Sequence, residues 1–268
     1  MWDVFGNNQN YNVLSGHKNA ILELKWKTDN TLLTCSADKT VALWDSNRAL
    51  RLRRFTEHTA IVNSCSACLG DMNLAASGSD DCTAIIWDSR TKESVMTAYH
   101  DYQVCAVQLS HDGQFLYTAG VDSIVRRFDL RVGMDKADLQ LDGHAEIITG
   151  LALSPDGSSL LSNSMDCTLR LYDVRAYTNQ RQRALLLGGH HGAEKLLLRC
   201  AWSADGEYVT AGSADRLVHM WETSRYTEMC AWGGHKASVN EVVFHPTQPV
   251  LASASSDKTV MLGEFLPQ

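Results

Sequence analysis

The chain has 268 residues, 44% hydrophobic and 21% charged, with a formal net charge of −7 at pH 7. This is the balance of an ordinary globular protein with an apolar core and a polar surface. No apolar run approaches the ~20 residues of a membrane helix. An acidic chain is also poorly suited to gripping phosphate backbones unaided, so protein partners are expected ahead of membranes or naked nucleic acid.

The first residues, Met1-Trp2-Asp3-Val4, show neither the basic nor the apolar stretch of a secretory leader. Of the 8 cysteines, Cys65 and Cys68 form a Cys-x-x-Cys pair, but no second pair follows at zinc-ribbon spacing. The cysteines therefore read as small buried apolar residues in a reducing compartment.

The decisive feature is an internal repeat. Gly16-His17 is followed by Ser36-Ala37-Asp38-Lys39-Thr40 and Leu43-Trp44-Asp45. The same order returns as Glu57-His58, Ser79-Asp80-Asp81-Cys82-Thr83 and Ile86-Trp87-Asp88. It continues with His100, Asp122 and Phe128-Asp129, then with Gly143-His144, Asp166 and Tyr172-Asp173. Gly189-His190, Asp215 and Trp221-Glu222 come next, and Gly234-His235 with Asp257 ends the series, where Gly263 stands in the aromatic position.

The key aspartates are spaced by 43, 41, 44, 49 and 42 residues, the aromatic position always falls 6 residues later, and the histidine lies 21 to 25 residues earlier. A period of ~40–45 residues with Gly-His and Trp-Asp marks is that of four-stranded propeller blades. Leu22, Leu24 and Trp26 alternate with Glu23 and Lys25 as in a half-buried strand. Asp112-Gly113, Asp156-Gly157 and Asp205-Gly206 are hairpin turns. The expected fold is an all-β propeller of WD repeats, one domain over residues 1–268, with six full repeats. Trp2-Asp3 reads as the end of a third strand and residues 10–14 as an outer fourth strand. Either that strand completes the blade begun at His235, giving six blades, or the chain belongs to a seven-bladed ring cut within its first blade; the orphan Trp2-Asp3 favours the second.

A blade buries both faces, so its polar groups must be paired where little water reaches. In each unit a histidine can bond the turn aspartate, hydroxyls two and four residues before that aspartate can join, and the indole can close the chain. The set predicted to hold the sheets comprises His17, Asp38 and Trp44; His58, Asp81 and Trp87; Asp122; His144 and Asp166; Asp215 and Trp221; and His235 with Asp257. A neutral hydrogen bond nets about 1 kcal/mol and one to a charged carboxylate about 1.5–3. His and Asp near Ser resemble a hydrolase triad, but a catalytic triad occurs once and this constellation recurs. No catalytic residues, metal ligands, cofactor or small-molecule substrate are expected.

Beyond the repeat, the chain resembles the WD-repeat subunits of the spliceosomal U5 small nuclear ribonucleoprotein, from about residue 1 to 265. The resemblance is carried by the stretches 60–65, 102–107, 148–151, 160–166, 197–203, 211–216, 238–246 and 253–258. Asn163 and Leu198-Arg199-Cys200 are not demanded by a blade and so discriminate among propellers. The resemblance implies a nuclear protein that docks on the large central scaffold protein of the spliceosome, touches RNA mostly indirectly, and takes part in pre-mRNA splicing without catalysing it. Family members have seven blades and a polar N-terminal extension, from which this sequence departs.

Candidate partner contacts are Lys18, Lys39, Asp80, Arg216, Lys236 and Lys258, in the aspartate turns and Gly-His loops, each of which also fits a merely solvated rim. Tyr177, Arg181 and Arg183 lie in a lengthened loop over residues 176–183, either a contact element or a tolerated insertion. A rival reading is a substrate receptor of a cullin-type ubiquitin ligase, since three repeats end in aromatic-Asp-x-Arg at Arg90, Arg131 and Arg175. Each of these arginines fits equally well as a stem covering apolar surface with its charge in water.

Overall fold

The computed structural model describes residues 1–2, 10–176, 178, 181–192 and 196–265. All regular structure in them is β. The first antiparallel sheet is β1 (Ile21–Thr28), β2 (Thr31–Ser36), β3 (Val41–Asp45) and β4 (Leu50–Phe55). The second is β5 (Val62–Ala67), β6 (Leu74–Ser79), β7 (Thr83–Asp88) and β8 (Ser94–Tyr99). The third is β9 (Val104–Leu109), β10 (Phe115–Gly120), β11 (Val125–Asp129) and the short β12 (Leu139–Leu141).

The fourth sheet is β13 (Ile148–Leu153), β14 (Ser159–Ser164), β15 (Thr168–Asp173) and β16 (Gln182–Leu187). The fifth is β17 (Cys200–Trp202), β18 (Tyr208–Gly212), β19 (Val218–Glu222) and β20 (Thr227–Trp232). The sixth is β21 (Val239–Phe244), β22 (Val250–Ser255) and β23 (Val260–Glu264), three strands among the described residues. Each sheet runs up and down in chain order, which is the blade of a β-propeller, and the expected all-β class holds.

The chain divides into two compact units, Met1–Gly120 with Val125–Gln140, and Val121–Ile124 with Leu141–Gln268. In the first, the second strands are almost wholly buried because they sit in mid-sheet with neighbours over both faces. Leu33, Val41, Phe55, Val62, Ile85 and Trp87 form one core layer, and Ile86, Val104, Leu109, Leu116 and Phe128 form another. The carboxylate of Glu23 is buried between sheets, where it accepts from Ser64 Oγ at 2.6 Å and Cys65 N at 3.0 Å. In the second unit, Leu161, Leu171, Leu186, Val209 and Trp221 make the equivalent layer, and Val218, Val239, Val242 and Leu251 a smaller one.

Residues 10–14 form no named strand; Trp2 and Asn10 make a single antiparallel bridge, Asn12 Nδ2 donates to Ser46 O at 2.7 Å, and Leu14 packs on Leu32, Ala42 and Trp44. Asp3 lies outside the described residues. The eight cysteines are free. Cys65 and Cys68 do not share a site: the Cys65 thiol faces Glu23 O at 3.8 Å and the Cys68 thiol faces His111 O at 3.5 Å.

Candidate functional site

The turn between the second and third strand of each sheet is built by its aspartate. One carboxylate oxygen accepts the backbone N–H two residues on, from Thr40 at 3.1 Å, Thr83 at 3.0 Å, Thr168 at 2.9 Å, Leu217 at 2.9 Å and Thr259 at 2.9 Å. This short side chain mimics a backbone turn and places the residue between, Lys39, Cys82, Ser123, Cys167, Arg216 or Lys258, in the left-handed region at φ 58 to 75.

The second carboxylate oxygen is held from two sides. His17 Nδ1 lies 3.0 Å from Asp38, His58 Nδ1 2.8 Å from Asp81, His144 Nδ1 2.9 Å from Asp166 and His235 Nδ1 3.1 Å from Asp257. The backbone N–H after each histidine, on Lys18, Thr59, Ala145 and Lys236, donates to the same oxygen at 2.8 to 3.0 Å. The other ring nitrogen meets the hydroxyl four residues before the aspartate: Thr34 at 2.7 Å, Ser77 at 2.7 Å, Ser162 at 2.6 Å and Ser253 at 2.8 Å. Trp44 and Trp87 donate their indole N–H to Thr34 and Ser77.

Two features refine the sequence reading. The hydroxyl two residues before the aspartate joins it through the backbone: Ser36, Ser79, Ser164, Ser213 and Ser255 accept the aspartate's own N–H at 3.0 to 3.5 Å and donate to carbonyls of the preceding loop at 2.8 to 3.2 Å. A threonine two residues after the aspartate is a further member. Thr40, Thr83, Thr168 and Thr259 donate to the carboxylate at 2.5 to 2.6 Å; the recurring Asp-x-Thr spacing signalled it.

These bonds set the protonation. Burial pushes the His58 and His144 imidazoles below their ordinary value, against the pull of Asp81 and Asp166. Burial works to raise the aspartates, but the Thr168 hydroxyl, the Ala145 N–H and His144 outweigh it and hold Asp166 at about 2. Asp38, Asp81 and Asp257 are likewise depressed. In the second and fourth sheets a neutral imidazole donating from Nδ1 to the carboxylate and accepting a hydroxyl proton at Nε2 satisfies every group; the pattern is that of a hydrolase triad, but the hydroxyls of Ser77 and Ser162 are fully buried, out of reach of a substrate.

Four sheets depart from this scheme; the fourth and sixth carry Tyr172 and Gly263 in place of the indole, and the third and fifth depart as follows. In the third, Phe128 replaces the indole and packs edge-on against His100 at 5.6 Å. In the fifth, Ala211 stands where the hydroxyl is needed, and a different imidazole takes over. His219, on β19, meets Asp215 at 2.9 Å through Nε2 and Glu228 at 2.6 Å through Nδ1, stacked on Trp221 at 5.8 Å. His190, the histidine of the repeat pattern, stays 6.5 Å away, ring to ring. Trp221 donates to Leu187 O instead.

Of the candidate contacts, Lys18, Lys39, Arg216, Lys236 and Lys258 are exposed at the aspartate-turn ends of their sheets. Asp80 is half-buried and accepts Asn63 Nδ2 at 2.6 Å. Arg183 grips Asp173 at 2.6 Å and Ser159 at 2.7 Å, and Arg181 donates to Arg175 O at 2.6 Å, so both brace the loop they stand in. Tyr177 lies outside the described residues. Arg90, Arg131 and Arg175 each fold back on the aspartate two residues earlier, Nη2 to Oδ2 at 2.6 Å, with 61 to 68% of the side chain exposed. The Arg131 fork holds Asp129 at about 2. Among the described residues no three His, Cys, Asp or Glu side chains gather as a metal site.

The family described as WD domain, G-beta repeat matches residues 8–45, 50–88, 92–129, 137–173, 182–222 and 227–262, each match after the first taking in the outer strand of one sheet and the first three strands of the next. The chain is 42% identical over 269 residues to the U5 small nuclear ribonucleoprotein 40 kDa protein of Dictyostelium discoideum, covering 100% of this chain and 76% of that protein. It is 40% identical over 270 residues to pre-mRNA-splicing factor cwf17 of Schizosaccharomyces pombe, covering 99% of this chain and 78% of that one. Against the human U5 small nuclear ribonucleoprotein 40 kDa protein it is 43% identical over 222 residues, 82% of this chain and 62% of the human one. Six sheets, four of them braced by the same histidine–aspartate set, and this breadth of identity place the chain in the WD-repeat family and, within it, in the family of the U5 small nuclear ribonucleoprotein 40 kDa proteins.

Proposed function

We propose that this protein is a non-catalytic interaction scaffold of the U5 small nuclear ribonucleoprotein, acting in pre-mRNA splicing in the nucleus. The observation that carries the reading is the 42% identity running through the whole chain to a protein of that particle. The site chemistry supports it. The turn aspartates of the first, second, fourth and sixth sheets are committed to buried histidines and hydroxyls, while Lys18, Lys39, Arg216, Lys236 and Lys258 between them are exposed. Its chief partner is the large central scaffold protein of the particle, with RNA contacted mostly through that partner. Lys18 and Lys39 of the first sheet, and Arg216, Lys236 and Lys258 of the last two, are the proposed contacts.

Affinity purification of the tagged chain from nuclear extract tests this. U5 RNA and the large scaffold protein should be recovered together. Triple substitution Arg216→Glu, Lys236→Glu, Lys258→Glu should reduce that recovery while the melting temperature holds. If neither RNA nor scaffold protein copurifies with the unmodified chain, the reading is wrong.

A further inference from the structure

Charge is shared unevenly along the chain. Residues 16–55, which build the first sheet, hold 8 lysines and arginines against 4 acids, whereas the rest of the chain holds 16 against 27. Arg51, Arg53 and Arg54 crowd together on β4, the outer edge of that sheet. Arg51 donates to Gly16 O at 3.2 Å and lies over the Trp44 ring. Arg53 and Arg54 make no hydrogen bond or ion pair among the described residues, because β3 sets Leu43 and Ala42 opposite them. Arg127, Arg170 and Arg183, on other strands, are held by Asp138, Gln182 and Asp173. Beside the arginines, Leu50 and Leu52 are 58 and 48% exposed. Along the outer side of β4 no backbone hydrogen bond is made among the described residues, and such an edge is a template for another strand.

We propose that the outer edge of β4 receives an acidic, extended segment of a partner protein, which pairs antiparallel as a fifth strand and sets carboxylates against Arg51, Arg53 and Arg54. Charge complementarity selects this occupant. A second copy of β4 is self-repelling, since antiparallel pairing about Leu52 sets Arg51 opposite Arg53 and like charges directly opposite destabilise a sheet. The chain's own first 14 residues bring a single acid, Asp3, and Asn12 and Leu14 are engaged with Ser46 and Trp44. An RNA strand answers the guanidiniums but leaves the two leucines and the row of backbone groups without a partner. An added strand answers all three: main-chain bonds to the edge, forked carboxylate–guanidinium pairs, and apolar side chains laid on Leu50 and Leu52. The inference rests on the charge and the edge of this sheet alone, so its failure leaves the splicing assignment standing.

The probe is the peptide acetyl-Thr-Glu-Glu-Val-Glu-Val-Thr-amide, whose glutamates fall opposite Arg54, Arg53 and Arg51 when it pairs antiparallel. It is titrated into the full chain by isothermal calorimetry. Saturable binding is expected, weakening as salt is raised and falling about tenfold or more in the double variant Arg53→Glu, Arg54→Glu. The melting temperature of that variant should hold, since neither arginine has a partner to lose. Peptides N-methylated on alternate residues should bind in one phase of methylation and fail in the other, because alternate amides of a strand face its neighbour. The proposal is overturned by no saturable binding at about 1 mM peptide, roughly −4 kcal/mol, or by a peptide with lysine for glutamate binding as well. It is also overturned if the two methylation phases behave alike, or if the double variant binds as the unmodified chain does. Displacement of the peptide by a uridine RNA oligomer that binds more tightly, or by a peptide of the chain's own residues 1–9, would assign the edge to that occupant instead.

Discussion

The indole N–H of Trp87 donates to the hydroxyl of Ser77 at 2.7 Å, both side chains fully buried. His58 meets the same oxygen, also at 2.7 Å. One hydroxyl therefore serves as acceptor for an indole and as donor for an imidazole, which an oxygen with one hydrogen and two lone pairs can do.

Ser77→Ala is expected to cost about 2–3 kcal/mol, since it strands two buried polar groups at once. Ser77→Thr should cost less than 1 kcal/mol, because Thr34 performs the same task in the first sheet. Urea unfolding of the two variants gives the comparison. Equal losses would mean the hydroxyl is not the hub.

Gly212 tests how closely the sheets approach. A Cβ there would lie 2.2 Å from the carbonyl oxygen of Val239 on the first strand of the next sheet. Backbone cannot yield as a side-chain tip can, so Gly212→Ala is expected to destabilise by about 3 kcal/mol or more. Gly263→Ala, at a site with open space, should be nearly neutral. A thermal-melt pair showing the two alike would contradict the packing described.

Most of the scaffold could be read from spacing because each turn is a local affair: an aspartate bonds the residue two ahead, and the strands flanking it are fixed by alternation. Residues that answer to distant partners were not legible. Nothing near Arg183 in sequence says that it grips the buried Asp173 carboxylate, and nothing near Asp80 names Asn63. His219 is intermediate. The missing hydroxyl at Ala211 is visible in the sequence, and so is a histidine four residues after Asp215, but the cross-strand Glu228 that completes the set depends on β19 and β20 pairing with a register shift between Met220 and Trp221. The turn lysines were found by position alone, and position cannot separate a contact from a solvated rim.

Arg175 separates the two readings of the aromatic-Asp-x-Arg motif. Its guanidinium forks onto Asp173 but is 61% exposed, whereas Arg183 on the same carboxylate is 27% exposed and also donates to Ser159. Exposed pairs contribute little. Arg175→Ala should therefore leave stability nearly unchanged, and Arg183→Ala should lower it, because it also removes the Ser159 bond. The triple variant Arg90→Ala, Arg131→Ala, Arg175→Ala should recover U5 RNA as the unmodified chain does. Loss of that recovery with the fold intact would move the docking surface to these arginines.

Stability should fall in two stages as the solution is acidified. Burial lowers the folded-state affinity of His58 and His144 for protons, and takes His191 down to about 4 against the small opposing pull of Asp166. The unfolded chain titrates its histidines near 6.5, so between about 6.5 and 4 it binds more protons than the folded one, and stability rises with pH across that window. At pH 5 the His191 share is about 2 kcal/mol at most. The aspartates act lower. Asp166, held at about 2 by Thr168, Ala145 and His144 despite burial, contributes stability that is present above about 3.9, the unfolded value, and is lost as pH falls through its folded value. Urea midpoints at pH 7.5 and 5.0 should differ accordingly, and His191→Gln should narrow the difference. A stability flat between pH 7.5 and 5.0 would show that these imidazoles are not held neutral by the fold.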